Sequence, residues 1–289
     1  MHLLIVSGKG GTGKTTLAAA LAQLSGSEMV IDCDVEASNL HLLLAENDLQ
    51  RQQFSGAKIA KEQANDCRRC GLCTDYCRFG AIHDGQVDSN LCEGCGVCVY
   101  VCPENHLVLT DMVTGTCVLS QTSNGLMSRA EMEPGAEGSG KLVTEIRRQG
   151  RLAVPNAQLT LLDGPPGLGC AVIASMKGCQ LALVVAEASL AGLSDARRIL
   201  ALLNQMEVEA LLCINRYDIN LEASLEIEQL CDQQQIPLVG KIPHDPMVRR
   251  AQRHNQSVLE YPTSPAAQAI FALWKELRSR IAKQGGSIE

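Results

Sequence analysis

A glycine-rich segment near the start of the chain has the spacing of a phosphate-binding loop. Residues 7–16 read SGKGGTGKTT and satisfy the pattern G-x-x-x-x-G-K-[ST]. An apolar run precedes the loop and a helical pattern follows it, so backbone N–H groups and a helix N-terminus would both face an anion. The Lys14 ammonium would reach the terminal phosphates, and the Thr15 hydroxyl would bind Mg²⁺. The expected contacts to ATP or ADP come from Gly10, Gly11, Thr12, Gly13, Lys14, Thr15 and Thr16.

Eight of the fourteen cysteines form two similar runs in the middle of the chain. Each run has three cysteines spaced C-x-x-C-x-x-C and a fourth after three further residues. Three closely spaced thiolates can wrap one face of an iron–sulfur cubane, whereas a zinc site needs only four thiolates, usually as separated pairs. The tandem runs therefore favour two 4Fe–4S clusters over zinc. The candidate ligands are Cys67, Cys70, Cys73, Cys77, Cys92, Cys95, Cys98 and Cys102.

The same spacing resembles that of bacterial two-cluster ferredoxins, in which the fourth cysteine of each run ligates the other cluster. The resemblance implies one set made of Cys67, Cys70, Cys73 and Cys102, and another made of Cys92, Cys95, Cys98 and Cys77. Pro103 follows Cys102 as in those ferredoxins, but Arg78 follows Cys77 where proline is usual. This departure bears on the local turn more than on ligation.

The phosphate loop carries a second lysine, Lys9, before its glycine pair. The string KGGTGKTT resembles the deviant Walker A loop of the MinD/ParA/Mrp family, which also includes the nitrogenase iron protein. The resemblance implies an ATPase that forms an ATP-dependent homodimer. Lys9 would reach the partner's nucleotide and neutralise charge on the leaving phosphates, as an arginine finger does elsewhere.

Acidic residues that follow two apolar runs extend this resemblance. Asp32 and Asp34 match the family's first switch, where Asp34 would orient the attacking water and Asp32 would lie near Mg²⁺. Asp163, in the string DGPPG, matches the Walker B position and would hold Mg²⁺ through water. Asn215 and Pro243 occupy the places of the family's adenine contacts. The resemblance thus assigns catalytic roles to Lys9, Lys14 and Asp34.

The elements that must position these motifs alternate between apolar strands and amphipathic helices, as in a mostly parallel α/β sheet. We predict a MinD-like P-loop domain in two parts, 1–54 and 113–289, with a ferredoxin-like α+β module inserted at 55–112. A helix that Asp34 begins, carrying Leu40 to Leu44, would lead into the insert, and 125–140 would be an exposed loop with a hairpin. Other strands are predicted at 2–7, 29–33, 117–120, 158–163, 181–186, 210–215 and 238–242, and helices at 14–24, 139–148, 193–206, 221–234 and 265–283.

The composition limits the partners. A net charge of −7 and 46% hydrophobic residues describe an acidic globular chain that would repel nucleic acid and anionic lipid. No apolar stretch approaches the roughly 20 residues of a spanning helix, and the first apolar run stops at the glycine-rich loop instead of forming a secretory signal. We therefore expect a soluble cytoplasmic protein with no stable membrane insertion.

The resemblance implies an ATPase whose nucleotide-driven dimerisation is coupled to two 4Fe–4S clusters, in iron–sulfur or metal cofactor assembly. Its partner would be a protein that accepts or donates a cluster, a metal cofactor or electrons. One alternative is an ATP-gated electron carrier. Another is a positioning or partition ATPase that binds DNA or membrane, for which Arg249, Arg250 and Arg253 are few against the acidic total.

Overall fold

The structure is a computed structural model that describes residues 1–44, 47–63, 67–136 and 139–283. The chain divides into two compact units. The first comprises Met1–Gln52, Cys117–Glu131 and Ser139–Glu289, and the second comprises Gln53–Thr116 and Met132–Gly138. The expected insert, 55–112, falls within the second unit.

The first unit is built on a sheet with helices packed against it. The strands of this sheet are β1 (His2–Ser7), β2 (Met29–Asp32), β3 (Asn47–Glu62), β6 (Leu107–Gln121), β7 (Leu126–Met132), β8 (Thr160–Pro166), β9 (Leu181–Glu187), β10 (Glu209–Asn215) and β11 (Leu238–Ile242). Within the described residues their order is β11-β10-β9-β1-β8-β2-β7-β6-β3. Strand β1 pairs in parallel with β8 and β9, β2 with β8 and β7, and β10 with β9 and β11.

The helices of this unit bury apolar faces on the sheet. Helices α1 and α10 share a core with β1, in which Leu17, Leu21, Leu273 and Leu277 are almost fully buried. Central strands covered by helices in this way read as continuous apolar runs, which is why the sequence predicts them well. The helices are α1 (Lys14–Ser25), α2 (His41–Leu44), α5 (Ser139–Ala153), α6 (Cys170–Met176), α7 (Leu190–Gln205), α8 (Leu221–Gln234), α9 (Pro246–Arg253) and α10 (Pro265–Lys283).

Parallel pairing brings the motif residues to one edge of the sheet. The phosphate loop follows β1, Asp32 ends β2, and Asn215 ends β10. Asp163 pairs directly with Asp32 in the register of β8 and β2. Ligand sites of open α/β sheets lie at this carboxyl edge. The predicted mostly parallel α/β P-loop fold is confirmed.

Two predicted segments near the first switch were wrong. The stretch 125–140, expected as an exposed loop with a hairpin, contains β7, where Met127, Ser128 and Arg129 are buried. Its polar side chains are satisfied internally: the Ser128 hydroxyl donates to the Ile146 carbonyl at 2.9 Å, and Arg129 is ion-paired. The helix expected from Asp34 is also shorter, because α2 begins at His41 and Asp34 lies in the preceding loop.

The second unit has a small core of its own. Besides parts of β3 and β6, it contains α3 (Leu72–Asp75), β4 (Ile82–His83), β5 (Gln86–Val87) and α4 (Val97–Val101). Ala60, Ile82, Cys98 and Leu107 are buried together, with Val87 and Leu109 packed on them. Side chains alternate along β6, so Leu109 shares the face of Leu107 and Val108 lies on the other face. Within the described chain, no helix is long and apolar enough to cross a membrane.

Candidate functional site

A cavity of about 840 Å³ lies at the carboxyl edge of the sheet. The predicted catalytic residues line it: Lys9, Lys14 and Asp34. The predicted adenine contacts, Asn215 and Pro243, line the same cavity. Its remaining phosphate-loop lining consists of Ser7, Gly10, Gly11, Thr12, Gly13, Thr15 and Thr16.

The phosphate loop needs glycine at two positions for different reasons. Gly13 caps α1 with a left-handed φ of 91°, and a Cβ there would lie 2.3 Å from the Asn215 side-chain nitrogen. Gly8 is packed so closely on α7 that a Cβ would lie 2.3 Å from the Cβ of Asp195. The Asn215 amide also donates to the Thr12 carbonyl at 2.6 Å. The loop is therefore held from two neighbouring elements.

Three carboxylates surround the Lys14 ammonium. Its Nζ lies 2.8 Å from Asp163 Oδ1 and 3.8 Å from Asp34 Oδ2. Burial alone would lower the pKa of Lys14, but the Asp163 carboxylate and its hydrogen bond outweigh burial, so the pKa is raised. Asp32 completes the group as the strand partner of Asp163, and its carboxylate accepts hydrogen bonds from Ser38 and Leu40 at 2.8 and 3.3 Å.

One oxygen of Asp163 is directed at no protein donor among the described residues. Asp163 is fully buried, its Oδ1 accepts from Lys14, and its Oδ2 is without a partner. A buried carboxylate oxygen is costly unless a cation or water satisfies it. The unpartnered Asp163 oxygen, the Asp32 carboxylate and the Thr15 hydroxyl are a donor set that fits Mg²⁺, and these three residues would hold the ion.

The buried Asp32 carboxyl predicts a pH dependence of stability. Burial and the Asp163 carboxylate raise its pKa from 3.8 to about 7, so between these values the folded state holds a proton that the unfolded state has lost. Its contribution to stability is therefore present at low pH and is lost as pH rises toward 7. Without Mg²⁺ or nucleotide, the free energy of unfolding of wild type relative to Asp32→Asn should fall by roughly 1–3 kcal/mol from pH 5 to pH 7. Urea titrations of both proteins at the two pH values check this, and a difference that does not change with pH would contradict it.

Lys9 is ion-paired within its own chain. Its Nζ lies 2.6 Å from Glu187 Oε2, at the end of β9. The other Glu187 oxygen lies 3.2 Å from the Arg216 guanidinium, which also donates to the Gly11 carbonyl. Arg216 has a left-handed φ of 53°, an uncommon conformation for a non-glycine residue. Glu187 and Arg216 thus hold the front of the phosphate loop, and neither residue was predicted from the sequence.

The start of α9 also lines the cavity. Asp245 caps this helix by accepting from the Met247 backbone N–H at 2.8 Å, and Pro246 occupies its first turn. The Gln252 amide donates to the Thr16 hydroxyl at 2.7 Å and so joins α9 to the phosphate loop. Arg249 also lines the cavity, so one of the three arginines considered for a basic surface faces the nucleotide site.

The eight candidate cysteine ligands line two separate cavities in the second unit. Each cavity contains one run of three and the fourth cysteine of the other run. Burial raises the pKa of Cys98, and the Cys92, Cys95 and Cys77 thiolates raise it further, so these four groups are neighbours. The first cavity holds Cys67, Cys70, Cys73 and Cys102, and the second holds Cys92, Cys95, Cys98 and Cys77.

The two halves of the second unit repeat the same backbone geometry around their cysteines. The backbone N–H groups of Ala81 and His106 each donate to the sulfur four residues earlier, Cys77 and Cys102, both at 3.3 Å. The turn after Cys77 therefore matches the turn after Cys102 although Arg78 replaces proline. Left-handed residues also recur in matched pairs: Arg69 and Gly94 (φ 51° and 59°), Gly71 and Gly96 (83° and 80°), and Gly80 and Asn105 (64° and 52°).

The cysteines are not arranged around a single ion. Within 1–44, 47–63, 67–136 and 139–283, no group of three or more His, Cys, Asp or Glu side chains is placed to hold one metal ion. Gly85 packs closely against the first set, since a Cβ there would lie 2.8 Å from the Cys67 sulfur.

Comparisons with known proteins identify the family. The CobQ/CobB/MinD/ParA nucleotide binding domain matches residues 3–258, and the chain belongs to this family. An uncharacterized protein of Methanocaldococcus jannaschii is 34% identical over 223 residues, which cover 76% of this chain and 79% of that protein. A protein of Pyrococcus abyssi named iron-sulfur cluster carrier protein is 22% identical, with 98% of this chain and 87% of that protein covered.

A solved structure supports the same fold. The septum site-determining protein MinD complexed with Mg-ADP from Pyrococcus horikoshii OT3 is similar with a TM-score of 0.58 and 22% identity. The match covers 96% of this chain and 95% of that chain. The chain is thus a P-loop nucleotide-binding protein of the MinD/ParA type, a family of ATPases that typically dimerise with ATP.

Proposed function

We propose that this protein is an ATP-hydrolysing iron–sulfur protein in which nucleotide-driven dimerisation is coupled to two 4Fe–4S clusters, in the assembly of iron–sulfur or metal cofactors. The main observation behind the proposal is that eight cysteines line two cavities, four in each, on the same chain as a phosphate-loop nucleotide site of the MinD/ParA type. The similarity to a protein named iron-sulfur cluster carrier supports the direction of this proposal.

The cysteine sets fit cubane clusters by their chemistry. Each set supplies four thiols in one cavity, and soft thiolates select iron–sulfur clusters. Backbone N–H donors already reach Cys67, Cys77, Cys92 and Cys102 at 3.3–3.5 Å. Such hydrogen bonds stabilise the negative charge of a ligating sulfur. Clusters bound there would supply one-electron redox chemistry or a transferable iron–sulfur group.

The nucleotide site supplies the groups that hydrolysis of ATP requires. Lys14 and the loop N–H groups would hold the phosphates, and Asp34, which lines the cavity, would orient the attacking water. Of the two lysines in the phosphate loop, Lys14 is buried and Lys9 is partly exposed, with 35% of its side chain accessible to solvent. That exposure suits a lysine that leaves Glu187 to reach the nucleotide of a second copy.

Chain connectivity links the switch residues to the strand that carries the second unit. From Asp34 the chain runs through α2 to β3, whose residues from Gln53 onward belong to the second unit. Four charges fasten the first part of β3 to β7: Arg129 pairs with Asp48 and Glu131 at 3.3 and 2.6 Å, and Arg51 pairs with the same two carboxylates. Strand β7 in turn pairs with β2, which ends at Asp32. The switch residues are therefore connected to β3 in two ways, along the chain through α2 and through the pairing of β2 with β7.

The coupling predicts that nucleotide changes the redox behaviour of the clusters. Asp34→Asn should slow water activation while keeping the phosphate contacts, and so should trap the ATP-bound dimer. The cluster potential of this variant should differ between ATP and ADP. The expected coupling free energy is about 1–3 kcal/mol, and for a one-electron step each tenfold change in the equilibrium constant corresponds to roughly 59 mV. Anaerobic redox titrations with ATP, with ADP and without nucleotide measure this. Three superimposable curves would show that nucleotide binding does not change the cluster potential, which would contradict the coupling.

Two other functions use the same parts. An ATP-gated electron carrier would reduce and reoxidise its clusters completely with an acceptor protein, whereas an assembly protein would transfer iron to an apoprotein. A positioning or partition ATPase is suggested by the fold shared with MinD. It would bind DNA or anionic vesicles without iron, so binding of the iron-free protein to either would favour it.

A further inference from the structure

The repeated halves of the second unit differ in charge at equivalent positions. Between the first two cysteines of each run, one half carries Arg68 and Arg69, and the other carries Glu93 and Gly94. The backbone is the same at these places, since Arg69 and Gly94 are both left-handed. The repeat thus provides two sites of one geometry and opposite local charge.

The charges belong to the walls of the two cavities. Arg68, Arg69, Glu104 and His106 line the first cavity, and the Arg68 guanidinium pairs with Glu104. Glu93 is the one ionisable side chain, apart from the cysteines, among the residues that line the second cavity. Arg78 follows Cys77 and is not part of that lining; its guanidinium lies 5.6 Å from the ring of Phe79, which does line the second cavity and stands between the cation and the site.

Burial acts in the same direction as charge. Both cavities have apolar walls, with Leu72 and Leu107 in the first and Ala60 and Ile82 in the second. Each set has one exposed cysteine, Cys70 or Cys95, but the second set alone contains a buried ligand, Cys98, which is 8% exposed. An added negative charge is disfavoured in apolar surroundings and favoured near guanidinium groups.

We infer that the two cluster sites are unequal, and that the set of Cys67, Cys70, Cys73 and Cys102 has the higher reduction potential because Arg68 and Arg69 stabilise its reduced state. This inference rests on the proposed function. Reduction by an external one-electron donor adds one negative charge to a site and breaks no bond. An electron delivered to either site therefore comes to rest on the first set, which makes the first set the site from which a bound partner would take it.

Spectroscopic redox titration of the iron-loaded full chain with dithionite tests the inference. Cys77→Ala leaves the first set intact and Cys102→Ala leaves the second, so each variant reports one site. At equal applied potential, the ratio of reduced to oxidised cluster should be at least about tenfold higher in Cys77→Ala, which corresponds to roughly 59 mV. Equal midpoints would overturn the inference.

A second set of variants keeps all eight ligands. Arg68→Gln/Arg69→Gln should lower the reduced-to-oxidised ratio of the first site several-fold and leave the second site unchanged. Arg250→Gln, on α9 in the first unit, is the matched control for loss of a surface cation and should change neither site. Because both arginines are exposed, added salt should reduce the difference between the sites.

The outcomes separate the two proposals. Iron-loaded protein with two equal potentials, or an arginine variant that shifts both sites alike, would overturn the inequality and leave the proposed function standing. Anaerobic protein that binds no iron would overturn the proposed function, and this inference with it.

Discussion

Anaerobically prepared Cys77→Ala/Cys92→Ala protein should keep about four iron atoms per chain, whereas Cys77→Ala/Cys67→Ala protein should keep almost none. The reason is the crossed arrangement of the cavities. Cys77 lines the cavity of Cys92, so the first pair of changes damages one set, while the second pair damages both. Wild type should hold close to eight iron atoms, since two sets of four thiolates are present.

The reciprocal variants strengthen the test. Cys102→Ala/Cys67→Ala should keep about four iron atoms, and Cys102→Ala/Cys92→Ala almost none. Cys231→Ala is a suitable control, because this buried cysteine of α8 lines neither cavity. Iron analysis with visible absorption measures the result. If each run of four bound its own cluster, the two kinds of double variant would exchange their iron contents, and stoichiometric zinc with little iron would exclude the clusters altogether.

The nucleotide edge of the sheet could be predicted because its signals are local. The phosphate loop is one continuous string, and Asp32, Asp163 and Asn215 each end or lie near the end of an apolar run. Parallel pairing then forces those ends together. No tertiary information is needed beyond the direction of the strands, so the sequence alone leads to the residues that line the cavity or lie behind it.

Glu187 and Arg216 could not be found in the same way. Both follow apolar strands, as Asp163 does, but nothing in the sequence shows that β9 and the end of β10 face the front of the phosphate loop. The structural role of these two residues depends on tertiary contacts. The Glu187 carboxylate pairs with Lys9 and Arg216, and the Arg216 guanidinium donates to the Gly11 carbonyl. A signal existed in the glutamate directly after an apolar run, but without a neighbouring strand it also fits a helix cap.

The strand β7 was missed for a related reason. Its sequence LMSRAEM contains a serine, an arginine and a glutamate, which are common in exposed turns. In the structure Arg129 is 5% exposed, because Asp48 and Glu131 pair with it. Asp48 lies far away in the sequence, on β3. A buried charge is stable only with such partners, and the partners of a long-range ion pair are not visible in a local pattern.

The largest loss of function is expected from the two loop lysines, by different mechanisms. Lys14→Ala should abolish nucleotide binding, because Lys14 is the buried cation beside Asp163 and Asp34. Lys9→Ala should leave ATP binding to its own chain largely intact but lower the rate of hydrolysis on the order of 1,000-fold or more, as loss of an arginine finger does. Calorimetric titration with ATP and steady-state hydrolysis measure the two effects. Equal loss of ATP affinity in both variants would contradict a separate role for Lys9.

Lys14→Ala leaves buried carboxylates without their cation, and this can destabilise a protein by about 3–5 kcal/mol. A second variant separates folding from binding. Lys14→Met/Asp163→Asn removes both charges of the closest pair, so it should unfold at a temperature nearer to wild type than Lys14→Ala does. It should still fail to bind nucleotide. Recovery of ATP binding in the double variant would show that Lys14 serves stability alone.

Mixing two inactive variants tests whether Lys9 acts on the partner's nucleotide. In a dimer of Lys9→Ala with Asp34→Asn chains, the Lys9→Ala chain keeps its own Asp34 and receives Lys9 from its partner, so one of the two sites is complete. If equal amounts are mixed before ATP is added, random association should make about half of the dimers mixed and restore about a quarter of wild-type hydrolysis. If Lys9 acts within its own chain, neither site of the mixed dimer is complete and no activity returns. Lys14→Ala mixed with Asp34→Asn is the matched control. Its mixed dimer lacks Lys14 at one site and Asp34 at the other, so it should stay inactive whichever way Lys9 acts.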